Sequence, residues 1–158
     1  MKKYIIIIFS CLASSCYWFS AGTLGGWDTI VFPLQEKSMD NYLKIFYNQY
    51  PQFKVPDDKQ DLEDEWRRPG YSQLKGIFFY FKDDDTKLYY VTYVDAGYGS
   101  EHPEYARIAL RAVYKEKDER WYIKEELRKD EQDFINEIFE KEIISRLEKV
   151  TKTESYIR

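Results

Sequence analysis

Two runs of β-prone residues, 77–81 and 88–94, flank the short polar stretch Asp83-Asp84-Asp85-Thr86. Ile77-Phe78-Phe79-Tyr80-Phe81 and Leu88-Tyr89-Tyr90-Val91-Thr92-Tyr93-Val94 are dominated by β-branched and aromatic side chains, which suit a pleated, packed surface. Two such runs joined by a few turn residues predict a β-hairpin. A third run follows at 105–115, where Ala106, Ile108, Leu110, Ala112 and Tyr114 alternate with Arg107, Arg111 and Lys115. That period of two predicts one buried face and one wet face. After a turn at 116–120, residues 121–127 (Trp121-Tyr122-Ile123-Lys124-Glu125-Glu126-Leu127) predict a fourth strand. Four antiparallel strands in meander order are the economical topology.

Helices bracket the strands. Met39, Tyr42, Leu43, Phe46, Tyr47 and Tyr50 recur at helical spacing, with Ser38 placed to cap the start and Pro51 to stop it. Phe134, Ile135, Ile138, Phe139, Ile143, Leu147 and Val150 trace the apolar stripe of a longer helix over residues 130–150. Asp130 and Glu131 near its start and Lys149 near its end suit the helix dipole. The expected class is α+β: a four-stranded antiparallel meander with an N-terminal and a long C-terminal helix packed on one face. The other face would then meet solvent. The layout resembles small helix-on-meander folds such as the cystatin-like class, an analogy that fixes no function.

Two stretches are less regular. Residues 16–37 read as a tether, since Ser20, Gly22, Gly25, Gly26 and Pro33 oppose a continuous helix. Trp27, Ile30, Val31, Phe32 and Leu34 are nevertheless too apolar for a solvated linker, so residues 29–34 should pack as an extended strand. Residues 51–76 hold the acid cluster Asp57, Asp58, Asp61, Glu63, Asp64 and Glu65. A calcium loop needs alternating oxygen ligands and a glycine at the sharp turn, and neither is present within the cluster. A short solvated helix over 58–67 is the expectation.

The leader speaks to location. Lys2 and Lys3 precede an apolar run, and Leu12-Ala13-Ser14-Ser15-Cys16 follows. A positive start, a short apolar core and small residues near a cut form the pattern of a secretory signal peptide. The segment ending at Cys16 resembles the lipobox of bacterial lipoproteins, whose small residues precede a cysteine that becomes the lipidated N-terminus. Ser14 and Ser15 match that pattern, Ala13 stands where the family prefers leucine, and Cys11 is a poorer alternative because Phe9 is bulky. The resemblance implies signal peptide 1–15, lipidated tether 16–37 and a single α+β domain over 38–158. Because apolar residues resume at Tyr17, Trp18 and Phe19, an uncleaved N-terminal transmembrane anchor stays open. Both cysteines lie in the leader, so the exported domain would rely on its core without a disulfide.

Charge and chemistry act mostly by exclusion. The chain carries 24 Lys+Arg against 28 Asp+Glu, a net of -4, with no polybasic segment. Such a surface lacks the counterion-releasing charge that supplies nucleic-acid affinity, so nucleic acid is not an expected partner. Membrane association would come from the lipid rather than from basic residues. His102, the single histidine, sits in Glu101-His102-Pro103-Glu104 and reads as a loop residue. A zinc site there would have only Glu101 and Glu104 beside it. There is no Gly-x-Ser-x-Gly elbow and no glycine-rich loop opening a helix, and no cofactor is expected.

Aromatic residues make up 18% of the chain, which is rich for a core of this size. Tyrosine offers rigid apolar area with a polar tip, so an outward sheet face would make a contact surface. Phe78 and Tyr80, or Tyr89 and Tyr93, would carry it according to how the faces fall, with Asp95 and Tyr98 from the following loop. The alternative is that these rings pack residues 51–76 and the tether over the sheet. The functional expectation is a non-catalytic envelope lipoprotein that binds a protein or a glycan. Two alternatives stand beside it: an acidic inhibitor or immunity-type protein, favoured if Asp57–Glu65 and Asp83–Asp85 share one side, and a carboxylate-dependent hydrolase, favoured by two acids facing each other in a cleft.

Overall fold

The computed structural model describes residues 26–67, 75–94 and 104–158. In chain order the elements are β1 (Ile30–Phe32), α1 (Glu36–Gln49), α2 (Gln60–Asp64), β2 (Gly76–Tyr80), β3 (Thr86–Tyr93), β4 (Ala106–Lys115), β5 (Arg120–Ile123), α3 (Lys129–Ile138), α4 (Ser145–Thr151) and β6 (Tyr156–Ile157). The class is α+β with an open antiparallel sheet. The expected consecutive pairing of β2, β3, β4 and β5 is present, but the sheet has six strands. β3 lies along one side of β4. On the other side β5 pairs with the end of β4, Ala112 to Lys115, and β1 pairs with its start, Ala106 to Ile108. β6 then adds to β1, so among the described residues β2 and β6 end the main run of strands, and β5, paired only with β4, is a further edge. The strand expected within 29–34 is β1. Its pairing with β4 makes it part of the domain rather than of a tether.

Helix boundaries shift for physical reasons. α1 begins at Glu36, and the main-chain N–H groups of Ser38 and Met39 donate to the Gln35 carbonyl, so Ser38 lies in the first turn and caps nothing. The fourth strand ends at Ile123, where the main-chain N–H donates to Glu126 Oε2 (3.0 Å) and a 3-10 turn over Lys124–Glu126 takes over. α3 and α4 are joined through a π-helical turn, Phe139–Ile144, in which Ser145 Oγ donates to the Glu140 carbonyl (2.9 Å). The wider turn keeps Phe139, Ile143 and Ile144 buried.

The main core lies between the sheet and the helices. Met39, Leu43 and Phe46 of α1 meet Ile135, Phe139, Ile143 and Leu147 of the C-terminal helices over Phe32, Phe79, Tyr89, Val91 and Ile108. Fully burying each such side chain is worth roughly 1.5–3 kcal/mol, which makes this layer the main source of cohesion.

The opposite face is not solvent-exposed. Phe78, Leu88, Tyr90, Ala112 and Tyr114 form a second buried cluster with Val55, and Leu62, Trp66, Tyr80 and Trp121 pack against it. The stretch expected to be a solvated helix contains α2 and two 3-10 turns, and it lies over these strands. Trp66 stacks on Tyr90 with ring centroids 4.5 Å apart and meets Trp121 edge-on at 5.6 Å.

The alternation along β4 also breaks. Tyr90 pairs with Ala112 while Val91 pairs with Leu110, leaving Arg111 as an extra residue, a β-bulge. Ala106, Ile108 and Leu110 therefore face the helices, as does Val113, whereas Ala112 and Tyr114 face Trp66. Arg111 Nε donates to Thr92 Oγ1 at 2.9 Å.

Candidate functional site

Glu36, Asp40, Leu43 and Tyr47 fall four, three and four residues apart, which aligns them along one side of α1. That line borders the edge strand β2. Together with Lys54 and Val55, and with Gln60 and Glu63 of α2, it encloses a cleft of about 320 Å3 whose floor is Gly76, Ile77 and Phe78. The cleft is thus the slot at the sheet edge between the two layers that cover the sheet.

Its polar groups are mutually engaged. Tyr93 donates its hydroxyl to Asp40 Oδ1 at 2.8 Å. Lys75 pairs with Asp40 Oδ2, approaches Glu36 Oε1 at 3.6 Å and sits 4.8 Å above the Tyr93 ring. Tyr47 donates its hydroxyl to the Phe78 carbonyl at 2.8 Å. Burial pushes the Tyr47 hydroxyl well above the ordinary tyrosine range, with the Glu63 charge adding to it. Tyr93 is pushed up likewise, by burial first and by its bond to Asp40 second. Both hydroxyls therefore stay protonated and act as donors. Neither is a base, and each oxygen of Asp40 has one of these partners.

The main chain of β2 supplies the open groups. Phe81 N–H donates to the Lys87 carbonyl, so Ile77 and Phe79, in the same phase of the ladder, also point toward β3. Gly76, Phe78 and Tyr80 then turn their N–H and C=O groups outward. Only the Phe78 carbonyl has a partner, Tyr47, among the described residues. Gly76 is required by crowding: a Cβ there would lie 2.7 Å from the Tyr90 ring and 3.2 Å from the Phe78 ring, which stack on each other.

The sequence-predicted surface residues divide between faces. Tyr89 and Tyr93 lie on the helix side and are buried, and Phe78 is buried under Trp66 on the other. Tyr80 is half-buried beside Phe78. These four make no common exposed patch, because both sheet faces are covered. Tyr89 is fully enclosed, and its hydroxyl has no partner among the described residues. Phe78 floors the cleft and Tyr93 reaches it through Asp40. Cys16, Asp95, Tyr98 and His102 lie outside the described residues. Among the described residues no group of acids or histidine could hold a metal, and no helix is long and apolar enough to cross a membrane.

The acidic segments do converge. Glu116 pairs with Lys59 beside Asp58 at 3.3 Å and with Lys87 at 3.4 Å, while its N–H donates to the Asp85 carbonyl. Sequence reasoning places Tyr47 only in the apolar stripe of α1 and gives Asp40 and Lys75 no role. The available signal was the four-three-four spacing of Glu36, Asp40, Leu43 and Tyr47, which sets carboxylates on the flank of an apolar stripe. No protein-family model matches this chain, and neither curated proteins nor solved structures include a significant match to it.

Proposed function

We propose that this chain is a non-catalytic interaction module held at the cell envelope by a lipid on Cys16, with a protein partner bound at the cleft beside β2. One observation carries the reading: Asp40 in the cleft is held by internal contacts, and beside it β2 turns main-chain groups outward, of which only the Phe78 carbonyl has a partner among the described residues. Asp40 accepts from Tyr93 and pairs with Lys75, so its carboxylate is committed to holding α1 against β3. In this reading the four consecutive strands, with α1 and the C-terminal helices on one face and α2 on the other, are a frame that holds the slot open.

The tethering half is tested by intact-mass analysis of membrane-fraction protein beside a Cys16→Ala variant. A diacylated mass that starts at Cys16 and disappears in the variant is the expected result. A wild-type chain that keeps its leader and carries no lipid overturns the anchor. The binding half is tested by cross-linking the full Cys16→Ala chain in envelope extract, with Lys75→Glu as the comparison. A partner captured by the former and lost by the latter supports the cleft.

A second reading, the acidic inhibitor, has its own support at Glu116, which pairs with Lys59 of the 57–65 segment and donates its N–H to the Asp85 carbonyl. It requires a basic protein partner whose affinity falls steeply with salt. Salt-independent binding of the captured partner sets it aside.

A further inference from the structure

We infer that the outer edge of β2 takes an extended segment of a partner polypeptide as an added strand. The inference rests on the interaction-module reading and names the chemistry of its partner. An open strand edge presents donors and acceptors at the two-residue repeat of a ladder, and only another main chain matches that repeat along its length. At β2 the repeat is carried by Gly76, Phe78 and Tyr80, and it opens into the cleft at Gly76 and Phe78. Of the other edges, β6 is two residues long, and β5 is four residues long with its Ile123 N–H taken by Glu126 Oε2.

The walls set the side chains of the incoming strand. Alternate residues would point to the α1 wall at Leu43 and to the opposite wall at Val55, both apolar. Charge along the lining balances, Lys54 and Lys75 against Asp40 and Glu63, and Lys75 is itself held by Asp40 and Glu36. The fitting partner is therefore an uncharged segment rich in β-branched residues, read mainly through its backbone. Tyr47 is the competitor within the chain, because its hydroxyl occupies the Phe78 carbonyl that an added strand would use. The natural edge is thus partly guarded against indiscriminate pairing.

The test selects displayed random decapeptides on the full Cys16→Ala chain and then compares each binder with copies N-methylated at alternate residues. One N-methylation register should be tolerated and the other should weaken binding about tenfold or more, since it removes ladder donors. Amide exchange should be fast at Gly76 and Phe78 in the free protein and slowed by the binder, with Ile77 and Phe79 protected throughout. Tyr47→Phe, which frees the Phe78 carbonyl, should tighten binding about two- to tenfold. Equal tolerance of both registers, or unchanged exchange at Gly76 and Phe78, overturns the added strand. A binder that protects another surface overturns the cleft as the site and leaves standing only the reading of a non-catalytic interaction module. Failure to select any binder counts against both.

Discussion

Tyr93 of β3 reaches across the seam between sheet and helix to donate its hydroxyl to Asp40 of α1, at 2.8 Å. The two residues are 53 positions apart, and their contact ties the helix layer to the strand next to the sheet edge. Lys75 completes the group by pairing with the other Asp40 oxygen while lying over the Tyr93 ring. The same three residues that fix α1 thus shape the mouth of the cleft, and stability and site geometry are linked there.

A double-mutant cycle on Asp40→Ala and Tyr93→Phe measures that link. The two changes should be non-additive by about 1–2 kcal/mol, the range for a hydrogen bond to a charged acceptor. Tyr93→Phe alone should cost less than Asp40→Ala, which leaves a buried hydroxyl without its acceptor and Lys75 with Glu36 alone. Urea denaturation of the four proteins gives the coupling, and additivity within 0.3 kcal/mol, about the noise of such cycles, would contradict it.

Trp66→Ala should open the second face of the sheet. Trp66 stacks on Tyr90 and touches Trp121, so its loss exposes a cluster that sequence alternation would have left wet. The expected cost is about 2–4 kcal/mol, somewhat discounted because Trp66 is half-buried. ANS fluorescence should rise in the folded variant. A stable variant without added dye binding would mean that α2 and its flanking turns do not cover the strands.

Much of the fold was legible because periodicity survives wherever an element is regular. The hairpin of β2 and β3, the apolar faces of α1 and α3, and the strand in the 29–34 region all follow from the spacing of apolar residues. The exposed sheet face did not follow. One extra residue at Arg111 reverses the inward and outward sets for the rest of β4, and no local signal marks a bulge at an arginine. Tyr90 and Phe78 then belong to a second core whose cover, Val55 to Trp66, looks hydrophilic because only its few apolar residues touch the sheet. The cleft was harder still. It depends on Lys75 and Asp40, distant in sequence, and on main-chain groups that carry no sequence signature.

Gly26→Ala tests whether the chain before β1 belongs to the domain. A Cβ at Gly26 would stand 2.6 Å from the Leu110 carbonyl oxygen, the acceptor of the Trp27 N–H. Because the obstacle is backbone, relief requires that Trp27 move, and Trp27 is buried with its indole N–H donating to the Gln132 carbonyl at 3.1 Å. A loss of about 1–3 kcal/mol is expected. Thermal unfolding would show it as a lower Tm, whereas an unchanged Tm would return residues 26–29 to the role of a linker.

Glu131 gives the fold a defined acid sensitivity. It lies at the start of α3, takes the Lys115 ammonium at 2.6 Å and accepts the Arg128 N–H at 3.2 Å. These contacts, Lys115 first, hold its carboxyl down at about 2. A carboxylate depressed in the folded state contributes stability that is complete above the ordinary glutamate range. That contribution is lost as the pH falls through that range toward 2. Glu131→Gln should therefore lower stability at pH 7 by about 1 kcal/mol, a modest value because the pair is partly solvated. The difference from wild type should shrink between pH 5 and pH 2, roughly the span from the ordinary carboxylate range to the folded value. Denaturant midpoints at a series of pH values measure this, and a difference that stays constant down to pH 2 would remove Glu131 as the titrating group.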